Sequence, residues 1–129
     1  PGRDDTAVMG SSMGGLISLH IALTYPHLVA QAGCVSTHWV WEDAQYLRDL
    51  EATPPPHTGA SPFLYFDFGT VGVDEPYPPL QARADAALVR AGWRPDVDFV
   101  TRRFEGAEHS EAAWRARLDS IVTHLFGPR

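Results

Sequence analysis

Short apolar runs alternate with segments of helical periodicity along this chain. Four runs are rich in aliphatic or aromatic residues and predict strands at residues 6–9, 31–36, 63–68 and 97–104. Helices are predicted at residues 16–24, 42–50 and 79–93, and a last helix carries one apolar stripe of Trp114, Leu118, Ile121, Val122 and Leu125. Because each strand is followed by a helix, the pattern predicts an α/β fold, with a mostly parallel sheet and helices on both faces.

Length and composition agree with one domain over residues 1–129. Of the 129 residues, 44% are hydrophobic and 20% are charged, as is typical of a globular protein. The formal net charge is −6 and the positive charges are scattered, which argues against nucleic-acid binding. No apolar run approaches the roughly 18 residues that a membrane-spanning helix needs. The single Cys34 excludes an internal disulfide and a cysteine-based metal site.

The start of the chain suggests that a longer protein precedes it. The first residue is Pro1 rather than Met, and a motif with chemical potential appears by residue 10. We therefore expect this chain to be the C-terminal portion of a domain whose N-terminal strands are missing. The chain has no signal-peptide pattern, which favours the cytoplasm, although any export signal would have preceded Pro1.

The pentapeptide G-S-S-M-G has the pattern G-x-S-x-G and lies between a predicted strand and a predicted helix. This context is typical of a nucleophile elbow, in which Ser12 is exposed on a sharp turn. Side chains at Gly10 or Gly14 are expected to collide with neighbouring backbone. The backbone N–H of Met13 is the natural first donor to an oxyanion, because it lies at a helix N-terminus. The alternative is an ordinary turn in which a serine caps the helix.

A serine nucleophile needs a histidine base and usually a carboxylate, in the chain order Ser, Asp or Glu, His. Among the six histidines we favour His109, in the loop between the last predicted strand and the last helix. Its alternative role is that of a surface residue at a helix cap. For the acid we favour Asp74, which follows the predicted strand 63–68, and both Asp67 and Glu75 stay open as alternatives.

Four segments together resemble a known family: VMGSSMGG at residues 8–15, STHW at 36–39, YFDFGT at 65–70 and FEGAEHSEAAW at 104–114. They are similar to the "Putative esterase" family of α/β-hydrolases, which includes enterochelin esterase-like, feruloyl esterase-like and mycolyltransferase-like enzymes. The resemblance implies an α/β-hydrolase fold, of which this chain is the C-terminal half. It also implies that Ser12 is the nucleophile, His109 the base and Asp74 the acid.

The sequence departs from the family at two places. Val71 stands where many relatives have the glutamate of a Gly-Thr-Glu stretch. The family also has strands and a loop before the elbow, and that loop supplies the second oxyanion N–H. Losing one such donor typically costs about 2.7–4 kcal/mol of transition-state stabilisation. We therefore expect the chain to need its N-terminal half or a second copy as partner.

These observations predict a serine hydrolase that cleaves small-molecule carboxylic esters through an acyl-enzyme and needs no cofactor or metal. The alternatives are an acyltransferase that uses the same residues and a non-catalytic or truncated hydrolase-like module. Trp39 and Trp41 follow the second predicted strand, so their indoles can line a substrate pocket or simply pack a helix. His38 can touch substrate or hold the loop. His38 and Trp39 are our candidate substrate-binding residues.

Overall fold

A four-stranded parallel sheet forms the centre of the fold in the computed structural model, which describes residues 2–128. Its strands are β1 (Ala7–Ser11), β2 (Gln31–Val35), β3 (Phe63–Phe68) and β4 (Phe99–Arg103), and they lie side by side in chain order. Every neighbouring pair is parallel. The carboxyl ends of all four strands therefore meet at one edge, which is where parallel sheets place their sites.

In the described part of the chain, five α-helices cover the sheet. They are α1 (Met13–Thr24), α2 (Trp41–Ala52), α3 (Tyr77–Arg90), α4 (Glu111–Ala116) and α5 (Leu118–Phe126), with short 3₁₀ turns at Arg3–Asp5 and Gly72–Asp74. Within residues 2–128, no helix is long and apolar enough to cross a membrane.

Strand β3 explains why the fold has two apolar layers. All six of its residues are buried. Leu64 and Phe66 belong to a core cluster with residues of α1, α2 and α3, whereas Phe63 and Tyr65 belong to a second cluster with Ile121 and Leu125 of α5. Successive side chains of a strand point to opposite faces, so both faces of the sheet need a cover. The predicted fold class, a parallel sheet with helices on both faces, is confirmed.

The last predicted helix is wrong in one respect, because it is two helices separated at Arg117. The Arg117 side chain is only 4% exposed, and it points inward to bond with Asp67 of β3. Leu118 and Val122, which the pattern assigned to the buried stripe, are instead 41% and 43% exposed.

Candidate active site

Ser12 lies in the turn between β1 and α1, at the carboxyl edge of the sheet. Its backbone has φ 59° and ψ −120°, a conformation that costs a non-glycine residue about 1–3 kcal/mol. Four backbone hydrogen bonds hold it: the Ser12 N–H donates to the Val35 carbonyl (2.9 Å), and the Ser12 carbonyl accepts the N–H groups of Gly15 (3.0 Å), Leu16 (3.2 Å) and His38 (3.2 Å). These bonds hold the strained turn in place between the strand and the helix.

The two glycines of the G-x-S-x-G pattern differ in what they tolerate. A Cβ at Gly10 would lie 2.5 Å from the Gly14 carbonyl oxygen, so only glycine fits at this position. A Cβ at Gly14 would meet nothing within 4 Å. The expected collision at Gly14 is therefore wrong, because Gly14 contributes the backbone that Gly10 approaches while its own Cβ direction is open. At Gly15, by contrast, a Cβ would lie 3.2 Å from the Val35 carbonyl oxygen.

The His109 imidazole joins a hydroxyl and a carboxylate that are far apart in the sequence. Its Nε2 lies 2.8 Å from Ser12 Oγ, and its Nδ1 lies 2.6 Å from Asp74 Oδ1. Asp74 lies in the 3₁₀ turn after β3, and His109 lies in the loop between β4 and α4. The three residues predicted as nucleophile, base and acid are therefore within hydrogen-bond distance at the edge where the strands end.

Neither alternative carboxylate bonds to His109. Glu75 is exposed. Asp67 instead accepts hydrogen bonds from Arg117 Nε (3.1 Å) and Nη2 (2.9 Å). Asp74 is fully buried, and its Oδ2 accepts the Gly69 N–H at 2.7 Å. Of the three candidates, Asp74 alone has the geometry of the acid.

Behind Asp74 lies a buried network that includes Ser36, Trp114 and Arg117, none of which the sequence analysis chose as a site residue. Ser36 Oγ lies 2.7 Å from Asp74 Oδ2, 3.1 Å from Trp114 Nε1 and 2.7 Å from Arg117 Nη2. Burial raises the pKa of the Asp67 carboxyl, and the hydrogen bonds from Arg117 oppose that rise. One feature of the sequence could have indicated that Arg117 is buried: it lies three residues after Trp114, on the same helical face as the apolar stripe.

His38 lies beside this arrangement, as its place after β2 led us to expect. Its ring centroid is 6.4 Å from that of His109, and its Nδ1 is 2.7 Å from the Tyr77 hydroxyl. Burial, and to a lesser extent the nearby His109, lower the pKa of His38, so its imidazole is neutral at pH 7. Burial and the charge of Asp74 raise the pKa of Tyr77, which keeps the phenol protonated.

Trp39 does not have the position expected of a substrate-binding residue. The side chain is 1% exposed, its Nε1 donates to Gln81 Oε1 at 2.9 Å, and its ring centroid lies 6.2 Å from that of Phe66. Trp39 therefore belongs to the core between the sheet and α3, because its neighbours bury both ring faces and satisfy its polar atom. Trp41, the other indole considered, is 46% exposed.

An apolar cavity of about 360 Å³ opens between α1 and α2, and Met13, the residue after Ser12, is on its wall. It is lined by Met13, Leu16, Ile17, His20, Trp41, Tyr46 and Asp49. The Met13 N–H lies at the first position of α1 and has no acceptor within residues 2–128, so it is free to bind an anion. A larger cavity of about 770 Å³ is lined by residues of the β4–α4 loop, α4 and the start of α5, and neither cavity has Ser12 or His109 among its lining residues.

The described part of the chain has no group of three or more His, Cys, Asp or Glu side chains that could hold a metal ion. The site consists instead of a hydroxyl, an imidazole and a carboxylate in a row, at the N-terminus of a 12-residue helix.

Solved structures with a similar fold include several esterases. The enterochelin esterase of Shigella flexneri matches with a TM-score of 0.72 at 22% identity, over 98% of this chain and 32% of that one. The S-formylglutathione hydrolase of Staphylococcus aureus has a TM-score of 0.66 at 21% identity, over 96% of this chain and 52% of that one. The siderophore hydrolase EstA of Aspergillus nidulans has a TM-score of 0.63 at 21% identity, over 93% of this chain and 48% of that one.

The chain therefore spans about a third to a half of the length of these structures. A search of curated protein sequences gave no match. The family model described as "Putative esterase" matches residues 1–125, almost the whole chain. The resemblance read from the four sequence segments is thus confirmed, and this chain belongs to the "Putative esterase" family.

Proposed function

We propose that this chain carries the catalytic residues of a serine carboxylester hydrolase, with Ser12 as nucleophile, His109 as general base and Asp74 as the orienting acid. The observation that carries the proposal is the unbroken row of short contacts from Ser12 Oγ to His109 Nε2 (2.8 Å) and from His109 Nδ1 to Asp74 Oδ1 (2.6 Å). A serine hydroxyl is a weak nucleophile on its own, and an adjacent base held by an acid activates it.

The chemistry follows from these contacts. Ser12 Oγ attacks the ester carbonyl carbon while His109 Nε2 takes the hydroxyl proton. The tetrahedral intermediate then expels the alcohol, which receives that proton from His109. Water then attacks the acyl-enzyme while His109 Nε2 takes a proton from it. The second tetrahedral intermediate breaks its bond to Ser12 Oγ, which receives that proton from His109, and the carboxylic acid is released. Asp74 keeps the imidazole oriented and stabilises its cationic form in both steps.

The oxyanion of each tetrahedral intermediate needs hydrogen-bond donors. The free Met13 N–H and the positive end of the α1 dipole lie directly after Ser12, where negative charge develops on the former carbonyl oxygen. The second donor in this family comes from a loop before the elbow. We propose that the N-terminal half of a larger domain, or a partner, supplies it.

Two features bear on the substrate. The apolar cavity beside Met13, with Trp41 on its wall, fits an aromatic or aliphatic group of an ester. The neutral His38 imidazole is the candidate polar contact, since its Nε2 has no hydrogen-bond partner within the described residues. The enterochelin esterase and siderophore hydrolase among the similar structures are consistent with a small-molecule ester.

Fluorophosphonate labelling tests the proposal most directly, because the probe reacts with a serine that a base has activated. We expect labelling of the 129-residue chain at Ser12, located by mass spectrometry, and its loss in Ser12→Ala. Ser11→Ala is the matched control, because it removes the neighbouring hydroxyl of β1 and should label like the wild type. Equal labelling in Ser12→Ala contradicts the assignment. So does a folded chain that does not label at Ser12 even when the N-terminal half of the domain is added.

Labelling alone does not separate hydrolysis from transfer, so the products need a second assay. The same chain is incubated with 4-nitrophenyl butyrate, with and without an added acceptor alcohol. Butyric acid as the main product in both reactions supports a hydrolase. A butyrate ester of the added alcohol as the main product supports the acyltransferase alternative.

A further inference from the structure

Ser36 combines an unfavourable backbone conformation with complete burial. It follows the last residue of β2, has φ 42°, and is 0% exposed. Non-glycine residues rarely adopt this left-handed region, and those that do are held by their surroundings. Glycine would adopt it without strain, so the serine side chain must offset the conformational disadvantage through its contacts.

Those contacts determine where the Ser36 proton lies. Trp114 Nε1 (3.1 Å) and Arg117 Nη2 (2.7 Å) both point at Ser36 Oγ. Indole and guanidinium nitrogens can only donate hydrogen bonds, so these two groups occupy both lone pairs of the hydroxyl oxygen. The single Ser36 hydrogen is therefore left to donate to the remaining neighbour, Asp74 Oδ2, at 2.7 Å.

The direction of the Ser36–Asp74 hydrogen bond helps to determine which nitrogen of His109 carries the proton. Asp74 Oδ2 accepts both the Ser36 O–H and the Gly69 N–H, each at 2.7 Å. These two donors fix the orientation of the Asp74 carboxylate. Asp74 Oδ1 then accepts the Nδ1–H of His109 at 2.6 Å. The neutral imidazole thus keeps its proton on Nδ1, and Nε2 is left as an acceptor for the Ser12 hydroxyl.

Arg117 is anchored so that it acts as a fixed donor. Asp67 Oδ1 accepts Arg117 Nη2 (2.9 Å) and the Ser36 N–H (3.0 Å), and Asp67 Oδ2 accepts Arg117 Nε (3.1 Å) and the Tyr65 hydroxyl (2.8 Å). The carboxylate balances the guanidinium charge, so the pair adds little net field at the site. The Arg117–Asp67 pair acts on Asp74 by fixing the direction of the Ser36 hydroxyl.

We propose that Ser36 is a positioning residue, which Arg117 and Trp114 orient so that it holds the Asp74 carboxylate and, through it, the reactive tautomer of His109. The proposal rests on the proposed roles of Ser12, His109 and Asp74. It adds a group of residues behind Asp74, which includes Trp114 of α4 and Arg117 at the break between α4 and α5, about 80 residues along the chain from Ser36.

Ser36→Gly is the variant that isolates this role. It removes the hydroxyl, and the new residue suits the observed φ of 42°, so the variant should fold. We expect kcat for 4-nitrophenyl butyrate to fall about 10- to 100-fold, as small misplacements of catalytic groups do, while KM stays unchanged. The rate of fluorophosphonate labelling at Ser12 should fall by the same factor.

Thr37→Val is the matched control. It removes the neighbouring buried hydroxyl, which has no hydrogen-bond partner among the residues that the structure describes, and we expect kcat and the labelling rate to stay at the wild-type level. Circular dichroism checks that both variants are folded. Wild-type kcat and labelling rate in Ser36→Gly would overturn the proposal, and so would equal losses in Ser36→Gly and Thr37→Val.

Proton NMR adds a readout that does not depend on turnover. The proton between His109 Nδ1 and Asp74 Oδ1 should give a far-downfield resonance, assigned by its loss in His109→Gln. We expect it to shift or broaden in Ser36→Gly and to stay in place in Thr37→Val, whereas an unmoved resonance in Ser36→Gly contradicts the positioning role. If the resonance changes in Ser36→Gly as expected but the wild-type chain does not label at Ser12 even when the N-terminal half of the domain is added, the positioning role is supported and the proposed esterase function is contradicted.

Discussion

Arg117→Met is the substitution for which the structure predicts the largest loss of stability. It removes the partner of Asp67, a carboxylate that is 0% exposed, and with it the bonds of 3.1 and 2.9 Å to that carboxylate. The 2.7 Å bond to Ser36 and the stacking of the guanidinium over Phe104, 5.0 Å from the ring centroid, are lost as well. Methionine replaces the alkyl stem with little change in volume, so the effect reports mainly on the uncompensated charge.

Breaking a buried ion pair by removing one partner typically costs about 3–5 kcal/mol. The unfolding entropy of a chain of 129 residues, at about 2.1 cal/mol/K per residue, converts that loss into a fall in Tm of about 11–18 °C. Urea and thermal unfolding at pH 7, followed by circular dichroism, measure both quantities. A loss below about 1 kcal/mol would refute the reasoning, because that is the range of an exposed pair.

The double variant Asp67→Asn/Arg117→Met tests whether the charge itself is responsible. It leaves no ion at this pair, and Arg117 Nη1 has no hydrogen-bond partner within residues 2–128 of the wild type. Replacing both members of a buried pair is often close to neutral, so we expect the double variant to recover at least about 2 kcal/mol of the loss. A double variant no more stable than Arg117→Met would show that lost packing, and not the isolated carboxylate, explains the result.

Three further predictions concern backbone fit and pH. Gly10→Ala should destabilise the chain by about 3 kcal/mol or more, because its Cβ would lie 2.5 Å from backbone that cannot yield. In contrast, Gly14→Ala, which has open space in a helix, should stabilise it by about 0.5–1 kcal/mol; equal urea midpoints for the two variants would contradict this distinction. Gly69→Ala should lower the labelling rate of Ser12, because its Cβ would collide with the Ala107 carbonyl of the His109 loop; wild-type labelling would show that the loop can move aside. Burial raises the pKa of Asp85 in the folded chain above its ordinary value. The protonated form of Asp85 therefore favours folding, and this contribution to stability is lost as pH rises through the folded pKa. Asp85→Asn should therefore be more stable than the wild type at pH 7 and equal to it at pH 3, and a pH-independent difference in unfolding free energy would contradict the assignment.

Much of the architecture could be predicted because it depends on short-range patterns. A buried run such as Phe63–Phe68 has the length and composition of a strand, and the G-x-S-x-G turn places a strand before it and a helix after it. The chain order of serine, acid and histidine also restricts which residues can meet at the edge of a parallel sheet. These features lie within a few residues of each other or follow from topology, so the sequence alone indicates the fold class and the candidate residues.

Tertiary packing decided what depends on distant partners. Asp67 and Asp74 are both acidic residues near the end of β3, and only the position of Arg117, 50 residues beyond Asp67, determines which of them remains for His109. Trp39 and Trp41 look alike in the sequence, yet a hydrogen bond to Gln81 draws the first into the core. Burial and hydrogen-bond pairing are properties of the assembled interior, and a local pattern does not determine them.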